Sequence, residues 1–176
     1  VLAVRELRHE LLDNEAAVAA FLDEARIAAR LNHPNLVRTI EVGSDGVRQF
    51  HAMEHVDGQL LQRVMRRAHR VAAAMPLRMH LRVVTEVLAA LEHAHSLADL
   101  DGKPLGLVHR HVSPQNVCIT YEGRVKLLDF GIAPAGGNSR EGGAGTGKSS
   151  YVAPECLYGS RVDGRADIFS VGAMLY

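Results

Sequence analysis

The sequence predicts an α+β chain in two parts: a small strand-rich unit over residues 1–55 and a mainly helical unit over residues 56–176. Three features predict it. The opening VLAVREL alternates and is β-branched, which suits a strand. Residues 77–97 repeat apolar side chains at a helical period. Residues 116–120 and 124–128 flank Tyr121-Glu122-Gly123, a hairpin signal.

The remaining elements follow in order. Asp13-Asn14 can cap a helix whose apolar face is Val18, Leu22, Ala25 and Ala29, and Asn32-His33-Pro34 ends it. Two short strands, near 36–42 and 48–54, are joined by the turn at 43–46. Val56-Asp57-Gly58 reads as a linker. A helix over about 59–69 carries Arg63, Arg66, Arg67 and Arg70, read as a solvated face rather than a nucleic-acid contact. The long helix that follows has Leu77, Leu81, Val84, Leu88 and Leu91 as its core stripe. His93 and His95 on it diverge and make a poor metal pair. Residues 134–150, rich in glycine and serine, read as a loop.

The totals exclude several classes. A charged fraction of 23% against 47% hydrophobic is an ordinary globular balance. Formal net charge is zero, so no global field draws the chain to nucleic acid or an anionic membrane. Cys118 and Cys156 form no CxxC pair, which suits a reducing cytosol. No apolar run approaches the roughly 18 residues of a membrane span, and no signal peptide is visible. Both ends fall inside apolar segments, so we expect a fragment of a longer protein. A cytoplasmic location is expected, with room for an anchor elsewhere.

One motif misleads. GGAGTGKS at 142–149 matches the phosphate-cradling pattern GxxxxGK[ST]. That loop needs a buried strand before it and a helix after it. Here polar residues precede it, and Pro154 follows soon after.

The hairpin carries a better site. Pairing about residues 122–123 would set Asn116 opposite Asp129, placing an amide oxygen beside a carboxylate. Hard cations such as Mg²⁺ take that ligand set. A polar pair closing a hairpin is the alternative, and geometry alone leaves both open.

Further residues fall into an ordered series. Ala3-Val4-Arg5 opens it, and Glu24 lies within the first helix. Met53-Glu54-His55-Val56 follows. His109-Arg110-His111 precedes Asn116, and Asp129-Phe130-Gly131, Ala153-Pro154-Glu155 and Asp167 complete the set. This order resembles a protein kinase, specifically a bacterial serine/threonine kinase of the eukaryotic (Hanks) type, over essentially the whole chain.

The resemblance implies a bilobal kinase-like fold truncated at both ends. The Gly-rich loop is missing, and the large lobe is incomplete after the start of helix F. It implies ATP with Mg²⁺, the metal on Asn116 and Asp129, and adenine against the backbone of Met53, Glu54 and Val56. Arg5 would pair with Glu24 and face the phosphates, with a plain structural ion pair as the equal alternative. His111 would stand in the catalytic loop, and Thr146, Lys148, Ser149 and Ser150 in the activation segment. Phosphorylation at Ser139, Thr146, Ser149 or Ser150 would be received by Arg110, with an unmodified linker as the alternative.

Two residues depart from the family. His111 replaces the aspartate that orients the substrate hydroxyl. Histidine can act as a base near its reference pKa of about 6.5, but its ring is bulkier than a carboxylate. A metal shared by His109 and His111 is set aside, because two histidines without further ligands are weak evidence for one. Arg5 replaces a lysine, and its planar fork is not interchangeable with a compact ammonium. A third difference is Ser113, where many such kinases have lysine; Lys148 is the expected substitute charge.

The expected function is therefore a kinase-fold domain with impaired phosphotransfer. The alternatives are an active serine/threonine kinase using His111, a non-enzymatic interaction or scaffold module, and a decaying gene or sequence error. Partners implied are a protein substrate or a partner kinase.

Overall fold

The computed structural model describes residues 1–71, 75–130, 149–158 and 162–176. In its first part, β1 (Leu2–Glu6), β2 (Thr39–Ser44) and β3 (Gln49–Glu54) form an antiparallel sheet with β3 in the centre. The register sets Arg5 of β1 against His51 of β3. Asp45 shapes the β2–β3 turn, its Oδ1 accepting from the backbone N–H of Val47 and Arg48 at 3.0 and 2.7 Å.

Helix α1 (Glu15–Ala28) lies against this sheet. The Asn14 side chain caps it, accepting from the Ala17 N–H at 3.1 Å, as the sequence signal predicts. The buried residues are Phe21 and Ala25, while Ala29 is exposed. Phe21 was absent from the expected stripe, and the helix stops before Asn32-His33-Pro34.

The segment after α1 does not begin a strand at residue 36. It bolts the first part of the chain onto the second. Asn35 Nδ2 donates to Glu86 Oε2 and to the Val125 carbonyl, both at 2.9 Å. The Leu127 N–H donates to the Asn35 carbonyl, and the Val37 N–H to the Leu127 carbonyl. Leu36 is buried beneath these bonds.

In the second part, β4 (Gly58–Leu60), β5 (Val117–Thr120) and β6 (Val125–Leu127) form another antiparallel sheet. Gly58, expected in a linker, is the first residue of β4. A Cβ on Gly58 would lie 2.3 Å from the Ile119 carbonyl oxygen, so glycine permits this close pairing. The β5–β6 hairpin also corrects the expected register. Its loop is three residues long, Tyr121-Glu122-Gly123, closed by Thr120 and Arg124 with Gly123 at φ 80°. Val117 therefore faces Leu127, and Asn116 faces Leu128, not Asp129.

Helices α2 (Leu61–Arg70), α3 (Leu77–His95), α4 (Pro154–Leu157) and α5 (Arg165–Leu175) complete the described fold. The buried face of α3 is Val83, Val87, Ala90, Leu91 and Ala94. It lies about 100° round from the expected stripe. Leu77 and Leu81 are exposed, whereas Val84 and Leu88 pack at the edge of the core. The two alanines are the reason, because they let α3 approach α5 and the hairpin closely. The core joins these residues to Leu31, Leu36, Leu61, Val112, Val117, Leu127, Phe130 and Met174.

Candidate active site

Four of the residues singled out in the sequence, Arg5, Glu24, Met53 and Asp129, line one cleft between β1, α1, β3 and the end of the hairpin. Arg5 Nη1 donates to Glu24 Oε1 at 2.7 Å. The Arg5 side chain is 48% exposed, and its guanidinium carbon lies 6.0 Å from the Phe21 ring centre. At the back of the cleft, His51 Nε2 and Thr39 Oγ1 are hydrogen-bonded at 2.8 Å. Burial holds the His51 pKa below its ordinary value, the Arg5 charge adds to the shift, and Glu24 and Asp129 oppose it. His51 therefore stays neutral beside the Arg5 cation. It was not among the sequence candidates, because a histidine alternating within a strand offers no local signal of such a place.

Glu54 closes β3 and turns its carboxylate away from the cleft. It accepts from Lys126 Nζ at 2.5 Å and from the Arg38 N–H at 2.9 Å. Burial pushes the Glu54 carboxyl up, but these two donors outweigh it and leave the pKa lowered. Lys126 Nζ also donates to the Leu36 carbonyl. This bridge ties the end of β3 to β6. Val56 follows β3, half-buried.

The loop carrying His109, Arg110 and His111 is anchored from below. Asp167, in the first turn of α5, is fully buried and accepts three bonds. The His109 N–H reaches its Oδ2 at 2.8 Å and the Arg110 N–H its Oδ1 at 2.7 Å. His95 Nε2 lies 2.8 Å from the same Oδ2. A Cβ at Gly164 would come within 2.7 Å of the His95 ring, so glycine at the start of α5 lets that ring approach. The Asp167 bonds hold Arg110 at φ 65°, a conformation an L residue rarely adopts.

His109 is fully buried against Phe130, ring centres 4.9 Å apart in edge-to-face contact. Its Nδ1 accepts from the His111 N–H at 3.3 Å, so Nε2 carries the proton and donates to the Leu128 carbonyl at 3.0 Å. Burial lowers its pKa, outweighing the nearby Asp167 charge. Both ring nitrogens are engaged, which agrees with setting aside a metal shared by His109 and His111. Among the described residues no group of three or more metal-binding side chains occurs.

His111 and Asn116 open into a second, smaller cleft with Ser113 and Tyr151. His111 is exposed. Asn116 Nδ2 donates to the His111 carbonyl at 2.9 Å, which orients the amide of Asn116. Asp129 is exposed at φ 47° and lies in the first cleft. Ser150 is exposed within the short turn Ser149–Tyr151. Gly131, Ser139, Thr146 and Lys148, with most of the 142–149 motif, lie outside the described residues.

The protein kinase domain family matches residues 1–176. The chain belongs to the protein kinase family. It is 41% identical to the tyrosine-protein kinase MasK of Myxococcus xanthus over 98% of its own length and 27% of that relative. It is 36% identical to the serine/threonine-protein kinase pkn3 of the same species, over 100% of its length and 32% of that protein. Among solved structures, the PknI kinase domain of Mycobacterium tuberculosis matches with a TM-score of 0.72 and 32% identity, over 99% of this chain and 61% of that one. The chain thus spans about a third or less of those two curated relatives and carries the α+β kinase fold. No described helix is long and apolar enough to cross a membrane.

Proposed function

We propose that this kinase domain binds ATP with Mg²⁺ and transfers its phosphoryl group poorly. The observation that carries the reading is the pairing of an ordered framework with an altered tip. Arg5, Glu24 and Asp129 converge on one cleft, while His111 stands exposed where the family's acid belongs.

The residues present fit the nucleotide. Asp129 in the first cleft and Asn116 in the second, one register step apart, would offer the carboxylate and amide oxygens that Mg²⁺ prefers. Among the described residues Arg5 makes one side-chain bond, to Glu24, and more than one N–H is left to face phosphate oxygens. The backbone of Met53, Glu54 and Val56 would meet the base. Bound Mg²⁺ supplies charge neutralisation at the phosphates. The chain itself supplies positioning, through the Arg5–Glu24 pair and the Asp167-anchored loop. It lacks a carboxylate to orient the acceptor hydroxyl, and an imidazole at His111 cannot reproduce the reach of a carboxylate. The acceptor would be a protein hydroxyl, serine or threonine by most relatives and tyrosine by MasK.

Exposure of His111 also suits a second reading, an active kinase with histidine as its base. One experiment separates them. MgATP binding to the full-length protein is measured by calorimetry, alongside transfer from labelled ATP to mixed peptide substrates. Mg²⁺-dependent binding that Asp129→Ala abolishes, with transfer near background, is the expected result. No binding at all would leave a scaffold module; rapid transfer would make this an active kinase.

A further inference from the structure

We propose that the exposed face of α2 is a docking surface for an acidic, Asp/Glu-rich segment of a protein partner. Arg63, Arg66, Arg67 and Arg70 occupy positions i, i+3, i+4 and i+7, one stripe of the helix. All four are exposed, and α2 contains no acidic residue. None of the four makes an ion pair among the described residues. Five arginines elsewhere, Arg5, Arg26, Arg48, Arg82 and Arg165, each hold a carboxylate, and those that hold none among the described residues, such as Arg8 and Arg124, stand apart from one another rather than in one stripe. In a chain with zero formal charge, this helix concentrates cations that nothing in the described fold neutralises.

The shape of the stripe selects the partner. It runs about 10 Å along the axis at 1.5 Å per residue. Carboxylates on one side of an extended segment recur at about 6.6–6.8 Å, and on a helical face at about 5–6 Å. Either spacing matches successive guanidinium forks, which take carboxylates two oxygens at a time. A membrane fits poorly, because the opposite face of α2 is already spent: Leu61 is buried and Met65 packs on the core. Nucleic acid fits poorly because the neutral total adds no broad basic flank to the stripe.

Placement gives the surface a use. The Gln62 N–H donates to the Pro114 carbonyl at 2.8 Å, and Pro114 lies between His111 and Asn116. The end of the stripe at Arg63 thus starts one residue from a contact with the catalytic loop. The surface is independent of whether His111 supports transfer.

The test is fluorescence anisotropy on the full-length protein. The probe is a labelled ten-residue peptide of alternating glutamate and serine. A glutamine–serine peptide, a 20-nucleotide single-stranded DNA and phosphatidylserine vesicles serve as competitors. Binding that weakens with salt is expected, falling at least about tenfold in the Arg63→Glu, Arg66→Glu, Arg67→Glu, Arg70→Glu variant. Arg8→Glu with Arg124→Glu, at exposed sites elsewhere, leaves it unchanged. Should the charge-reversed helix fail to fold, the corresponding four Arg→Gln changes are expected to show the same loss of binding. Unchanged affinity in the α2 variants, equal loss in the control, or tighter binding of the DNA or vesicles would overturn the proposal.

Discussion

His109 and His111 stand two residues apart in one loop and live in opposite surroundings. His109 has no exposed surface, both ring nitrogens bonded and a ring packed on Phe130. His111 is exposed at the mouth of a small cleft. The difference teaches where a kinase domain tolerates change. The buried half of the loop is fixed by Asp167, and any substitution there disturbs packing and hydrogen bonds together. The exposed half is far less enclosed, so an exchange of aspartate for histidine there is expected to disturb packing less than a change at His109.

Four substitutions or titrations probe this contrast. The largest effect is expected for Asp167→Ala. It strips acceptors from the His109 and Arg110 N–H groups and from His95, and it releases the strained Arg110 backbone. A loss of about 3–5 kcal/mol in chemical denaturation is expected; a loss below about 1 would deny that Asp167 organises the loop. Next comes His109→Ala, which leaves a cavity against Phe130 and is expected to cost about 2–4 kcal/mol. His111→Ala, measured beside it, should stay within about 0.5 kcal/mol of the parent. Equal costs would erase the contrast.

The third test is pH. The folded pKa of His109 is lowered by burial, so the native state keeps it neutral while the unfolded chain takes up a proton. Its stabilising contribution is full above the unfolded value near 6.5 and is lost as pH falls below that value toward the folded pKa. His33 and His51 are shifted the same way, both chiefly by burial. Stability should fall below pH 6.5 by up to about 1.4 kcal/mol per pH unit for the fully buried His109, and by less for His51 and least for His33, whose charges water screens. His109→Gln should flatten that slope in denaturation series from pH 7.5 to 5; an unchanged slope would exclude His109 as a source. The smallest effect belongs to the half-exposed Arg5–Glu24 pair. A double-mutant cycle with alanine should give a coupling below about 1 kcal/mol, although nucleotide affinity is expected to drop further.

Much of this was legible because local rules governed it. Asn14 caps α1 by a rule contained in three residues, and the hairpin turn was marked by its glycine. What depended on tertiary contact was harder to read. β4 is three residues long and exists because β5 pairs with it. The buried face of α3 follows its alanines, since close approach outranked leucine content. The hairpin register slipped by one because Gly123 makes a three-residue loop. At the site, the residue types and their order pointed to a kinase. The inward roles of His51, His95 and Lys126 were invisible, since each is defined by a partner far away in sequence. Asp167 was found by its place in the motif series, not by the three donors it gathers.

The central claim is that the framework is competent and that His111 alone withholds the chemistry. It is tested by transfer from labelled ATP in the full-length protein, with His111 and with His111→Asp side by side. A gain of about 10²–10⁴-fold on installing the aspartate is the predicted result. Vigorous transfer with His111 already in place, or continued silence with the aspartate installed, would contradict it.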